Sequence, residues 1–112
     1  MNINVDRRGS YSLATLEGEL RADDALKIAD TLHPLVAPQG ARVAVDLSKL
    51  SQINSAGLSE LIDVVARARL SGSRVVLISP STFVQQVFDV TRLDQWFDIV
   101  DDHEAAAAAL EG

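Results

Sequence analysis

The chain has 112 residues, of which 47% are apolar and 23% charged, with a formal net charge of −6. That length suits one domain, residues 1–112, able to bury its own core, and the apolar content argues against disorder away from the ends. The absence of cysteine excludes disulfides, thiolate metal sites and cysteine nucleophiles, and the acidic balance argues against binding a nucleic-acid backbone.

The opening Met1-Asn2-Ile3-Asn4-Val5-Asp6 lacks the basic start and apolar stretch of a signal peptide. No apolar run is long enough to insert in a bilayer, so a cytoplasmic protein is expected. Ile3 and Val5, then Tyr11, Leu13 and Leu16, alternate with polar residues and predict two strands joined by a turn at Arg8-Gly9-Ser10. Asp23 or Asp24 can cap a helix carrying Leu26, Ala29, Leu32 and Val36, which Pro34 is expected to end or kink. Pro38-Gln39-Gly40 is a loop, and the apolar run at positions 42–47 predicts a buried strand.

Positions 48–54 form a polar connection punctuated by Leu50 and Ile53. A helix is predicted from Asn54-Ser55 to about position 70, with Leu58, Leu61, Ile62, Val65 and Ala68 on its apolar face and Ser71-Gly72-Ser73 as its stop. Positions 74–78 predict a second buried strand. Ser79-Pro80 suggests a cap and first helical residue before Phe83, Val84, Val87 and Phe88. Leu93, Trp96 and Phe97 cluster next, positions 97–100 suggest a short strand, and Asp101 or Asp102 caps an alanine-rich helix at 105–110. The order ββαβαβαβα implies crossovers, hence an α/β fold with a mixed, mostly parallel sheet of about five strands and helices packed on it.

No catalytic constellation emerges. There is no nucleophile elbow, Walker loop, dinucleotide fingerprint or Gly-rich phosphate cradle, so neither an enzyme nor a cofactor is expected. His33 and His103 lie far apart in sequence, read as ordinary surface or edge residues, and predict no metal site. From Asp94 onward the chain has six acidic residues and no Lys or Arg, which reads as a solvated acidic face or, more sharply, as a surface for a basic partner.

The informative segment runs from Asp46-Leu47-Ser48 through Ile53-Asn54-Ser55-Ala56-Gly57-Leu58, where a strand ends and an amphipathic helix opens. On the bland reading Asn54 or Ser55 is simply the N-cap, with Ile53 and Leu58 as a hydrophobic staple. On the functional reading Ser55 is a phosphorylation switch. A phosphate adds about −1.5 to −2 charges, and the free amides and dipole of a helix start welcome them, so the surface changes while the fold persists.

This segment resembles the signature of the STAS domain of anti-sigma factor antagonists: Asp-Leu-Ser, an apolar residue some positions on, then Asp-Ser-(Ser/Thr/Ala)-Gly-Leu. Leu16-Glu17-Gly18-Glu19-Leu20 and the stretch from Val87 to Phe97 extend the likeness over most of the chain. The resemblance implies a partner-switching protein that binds a GHKL-type serine kinase acting as an anti-sigma factor. The kinase phosphorylates the serine at the position of Ser55, which ends binding, and a phosphatase restores it. The contact surface implied comprises Asp23, Ser48, Lys49, Gln52, Asn54, Ser55, Ala56, Gly57 and Leu58. Asn54 stands where the family has Asp, which keeps a cap but removes a charge beside the acceptor hydroxyl. The alternative implied is a constitutive STAS interaction subunit that is not phosphorylated, such as a cytoplasmic accessory subunit of a lipid-transport ABC system.

Overall fold

A computed structural model describes residues 1–111. Its elements are β1 (Asn2–Arg8), β2 (Tyr11–Glu19), a 3-10 turn (Ala22–Asp24), α1 (Ala25–Val36), β3 (Arg42–Gln52), α2 (Ser55–Leu70), β4 (Arg74–Ile78), α3 (Thr82–Val90), a second 3-10 turn (Leu93–Gln95), β5 (Ile99–Val100) and α4 (His103–Glu111). The strands lie in the order β1-β2-β3-β4-β5. β1 pairs antiparallel with β2 through the tight turn at Gly9, and the pairs β2-β3, β3-β4 and β4-β5 are parallel. The expected mixed, mostly parallel sheet is the one observed.

Side chains alternate across a strand, so each central strand feeds two cores. Val43, Val45 and Leu47 of β3 and Val75 and Leu77 of β4 join Ile28, Leu32, Leu61, Val65, Val84 and Phe88 from α1, α2 and α3. The residues between them, Ala44, Val76 and Ile78, meet Ala106 and Leu110 of α4 on the other face. Three helices therefore cover one face and α4 covers the opposite one. α4 carries no basic residue in its last turn. Arg42 and Arg74, adjacent at the starts of β3 and β4, donate instead to its terminal carbonyls, to Leu110 O and, at 2.7 Å, to Ala109 O. Cations there complement the negative end of the helix dipole.

Several expectations need correction. α1 continues through Pro34 to Val36, because a proline near a helix end removes only one late hydrogen bond. Its buried stripe is Ile28, Leu32 and Val36, while Leu26 is exposed. Asp24 does not cap α1; its carboxylate turns back to accept from Arg21 N at 2.9 Å. α3 is capped by Ser81, not Ser79, with Pro80 outside the helix and Ser79 in the left-handed region at φ 47°. On α2, Val64 replaces Leu58 and Ile62 among the fully buried residues, both of which pack at the core margin. Asp102 does cap α4, accepting from Ala105 N at 2.8 Å.

The largest correction concerns positions 48–54. β3 runs on to Gln52 instead of ending at Leu47. Against β2, Thr15 and Glu17 face Asp46 and Lys49, and Gly18 and Glu19 face Leu50 and Gln52. β3 thus carries an extra residue at each of these two steps, which is the definition of a bulge. Bulges break the strict alternation, which is why the segment reads as a loop.

Candidate partner-binding site

The carboxyl ends of the parallel strands meet on one edge of the molecule, the usual place for a site in such sheets. β2 leads there into the Ala22–Asp24 turn, β3 into α2, and β4 into α3. Ser81 Oγ, at the start of α3, donates to Leu50 O at 2.6 Å and so ties α3 to the extended end of β3. The 3-10 turn packs in turn against α2.

Asp46 organises the Asp-Leu-Ser element. It shares the orientation of Ala44, toward the α4 face, and is almost fully buried. Its Oδ1 accepts from Ser48 N at 2.8 Å and from Ser48 Oγ at 2.7 Å, and its Oδ2 lies 2.7 Å from His103 Nε2. Burial by itself pushes this carboxyl upward, but the Ser48 hydroxyl and amide, joined by His103, hold it below the ordinary aspartate value. Ser48 is exposed, yet its hydroxyl is committed to stabilising the first bulge. His103, expected as an ordinary surface or edge residue, joins α4 to this element.

Leu50 and Ile53, one on each side of the second bulge, are buried anchors. Asn54 is extended at φ −98° and ψ 174°, and its Oδ1 accepts from Gly57 N at 2.8 Å. Asn54 is therefore the N-cap, and Ser55 is the first residue of α2. Ser55 is exposed, and among the described residues no hydrogen bond uses its hydroxyl, its amide or the amide of Ala56. These two donors belong to the set that every helix start leaves unpaired.

Lys49, Gln52 and Asp23 are exposed alongside Ala56. Asn54 and Leu58 are half-buried, and Leu58 packs against the core that contains Ile53, as a staple does. Gly57, by contrast, is buried and faces inward, against Leu20. Leu20 N donates to Gln52 O at 3.0 Å, which fixes the end of β2 beside the end of β3. Asp24 supports this edge from below: its carboxylate lies 3.8 Å from both the Met1 ammonium and Lys27 Nζ. The Arg21 amide is the main cause that holds the Asp24 carboxyl below its ordinary value.

Sequence reading missed one further cluster. His33 of α1 approaches Glu60 and Asp63 of α2. The acids stand three apart on a helix and so share a face, but nothing in the sequence pairs that face with α1.

Comparison with known proteins agrees with this architecture. The family model described as "Mlab, STAS domain" matches residues 3–101. The protein named "Putative anti-sigma factor antagonist BtrV" of Bordetella bronchiseptica is 29% identical over 111 residues, covering 99% of this chain and 96% of that one. Three solved structures illustrate the shared fold. An anti-sigma-factor antagonist (STAS) domain protein of Planctomyces limnophilus superposes with a TM-score of 0.87 at 20% identity, covering 98% of each chain. The anti-sigma factor antagonist SpoIIAA in its unphosphorylated form gives 0.79 at 21% identity, covering 96% of each. The Bacillus protein SpoIIAA in its phosphorylated form gives 0.74 at 20% identity, covering 96% of this chain and 99% of that one. A family match over nearly the whole chain, on a sheet and helix order shared with these proteins, establishes that the chain belongs to the STAS domain family.

Proposed function

We propose that this protein is a cytoplasmic partner-switching regulator of the anti-sigma factor antagonist kind. It binds a GHKL-type serine kinase that serves as an anti-sigma factor, and phosphorylation of Ser55 ends the binding until a phosphatase reverses it. The chain performs no chemistry itself. The observation that carries this reading is the exposed Ser55 hydroxyl at the first position of α2, which, like the neighbouring amides of Ser55 and Ala56, has no hydrogen-bond partner among the described residues. A phosphate there gains the helix dipole and two donors, so the domain keeps its fold. A partner that had packed against Asp23, Lys49, Gln52 and Ala56 then meets a doubly charged group that it must desolvate. Family membership and the name of the Bordetella relative support the same reading.

The test is incubation of the protein with its cognate kinase and ATP, followed by intact-mass analysis. One phosphate is expected on the wild type and none on Ser55→Ala, which should still capture the kinase. A wild type that stays unmodified by a kinase it binds defeats the switch.

The neutral Asn54 at the cap, and the "Mlab" description of the family, favour a second reading: a STAS interaction subunit bound constitutively to its partner. Co-purification with the ATPase subunit of a lipid-transport ABC system, without phosphate on Ser55, would select it.

A further inference from the structure

We propose that His33, Glu60 and Asp63 form a binding site for one divalent transition-metal ion of the zinc class, held between α1 and α2. His33 Nε2 lies 3.3 Å from Glu60 Oε1 and 3.2 Å from Asp63 Oδ2. All three donor atoms fall within 4.8 Å of one another. Zinc holds nitrogen and oxygen ligands at about 2.0–2.2 Å, and the edges of such a tetrahedron are about 3.3–3.6 Å. The imidazole-to-carboxylate separations therefore already match a shared coordination sphere.

The hydrogen-bonding geometry points the same way. A single imidazole nitrogen faces two carboxylate oxygens, yet it carries at most one proton to donate. One cation at the centre satisfies all three groups at once. The donor set is one imidazole and two carboxylates with a fourth position left for water, which suits zinc better than the all-oxygen shell of calcium or magnesium.

The surroundings fit an ion as well. Arg67 Nε donates to Asp63 Oδ2 at 3.0 Å, the same oxygen that faces His33, and so holds that carboxylate in place while the ion would take the oxygen's second lone pair. With His33 neutral, two carboxylates against one guanidinium leave the cluster net negative. The three side chains are 26%, 30% and 46% exposed, so an ion reaches them from solvent. A hollow of about 590 Å³ lined by His33, Val36, Arg67 and Leu70 opens beside them. Glu60 is five residues after Ser55, roughly 7.5 Å along the helix axis. The ion would thus pin the flank of α2 to α1 without covering its start.

The experiment uses the tag-free full chain, stripped with a chelator, titrated calorimetrically with zinc and melted with and without it. The expected result is uptake of one ion per chain and a higher melting temperature. His33→Gln and Glu60→Gln should each weaken uptake at least about tenfold, whereas His103→Gln, which alters the other histidine, should leave it unchanged. Cobalt(II) should give the visible absorption of a tetrahedral site in the wild type and lose it in His33→Gln. Absence of saturable one-to-one uptake by the wild type overturns the proposal. So does undiminished uptake by either of the first two variants, each verified as folded by its melt in chelator.

Discussion

Leu20 occupies the space beside Gly57 so fully that a β-carbon on the glycine would stand 2.0 Å from Leu20 Cδ2 and 2.7 Å from Cδ1. The glycine of the family signature is thus a packing requirement: it lets the first turn of α2 settle against the end of β2, and so sets where Ser55 is presented.

Gly57→Ala is expected to destabilise the protein by about 1–3 kcal/mol, the usual cost of forcing extra volume into a packed site. Leu20→Ala alone should cost about 2–5 kcal/mol. The double variant should lose clearly less than the sum, because removing the leucine makes room for the methyl group. A double-mutant cycle from urea denaturation measures this coupling, and simple additivity would show that the two residues do not compete for space.

The cap of α2 gives a second expectation. Asn54→Ala removes the acceptor of Gly57 N and should cost about 1 kcal/mol. Asn54→Asp keeps the acceptor and adds charge at the positive end of the dipole, so it should gain about 0.3–1 kcal/mol at low salt. Thermal melts at low and high ionic strength check both the sign and its screening; an Asp variant less stable than wild type at low salt contradicts the cap geometry.

Ser55→Asp should leave stability within about 0.5 kcal/mol of wild type, since an exposed carboxylate at a helix start finds a favourable field. Its affinity for the proposed kinase partner should fall by at least about 2 kcal/mol, roughly thirtyfold in Kd. Paired melting and calorimetric binding measurements separate the two effects. A variant that unfolds, or one that binds normally, would contradict a surface-only switch.

Asp46 supplies a pH dependence. Its folded pKa lies below its ordinary value of 3.8, so the unfolded state binds the proton more readily and the stabilisation is fully present above that value. It fades as the pH falls through the lower folded value. Asp46→Asn is therefore expected to melt below wild type near neutral pH, by about 1–3 kcal/mol for the loss of charge-assisted hydrogen bonds. The gap should narrow under acid conditions. A difference independent of pH across that window would remove Asp46 from the titrating groups that matter.

The sequence determined most of the architecture. Alternation in positions 2–16, the apolar runs at 42–47 and 74–78, and the 3.6-residue stripe of α2 are local signals, because a strand or a helix face must present its apolar side chains at the element's own period. The candidate switch was legible for the same reason. A polar cap followed by an amphipathic run marks a helix start, and Asn54 and Ser55 fall at that point.

What only the tertiary structure decided depends on partners distant in the chain. Two bulges turn positions 48–52 into strand, which no period reveals, since a bulge is defined by the neighbouring strand. His103 finds Asp46 because α4 crosses the back of the sheet, and His33 finds Glu60 and Asp63 because α1 packs beside α2. Gly57 faces Leu20 because two strand ends and a helix start converge. Periodicity tells each element which face to bury. Only the packing of those faces fixes which side chains then share a site.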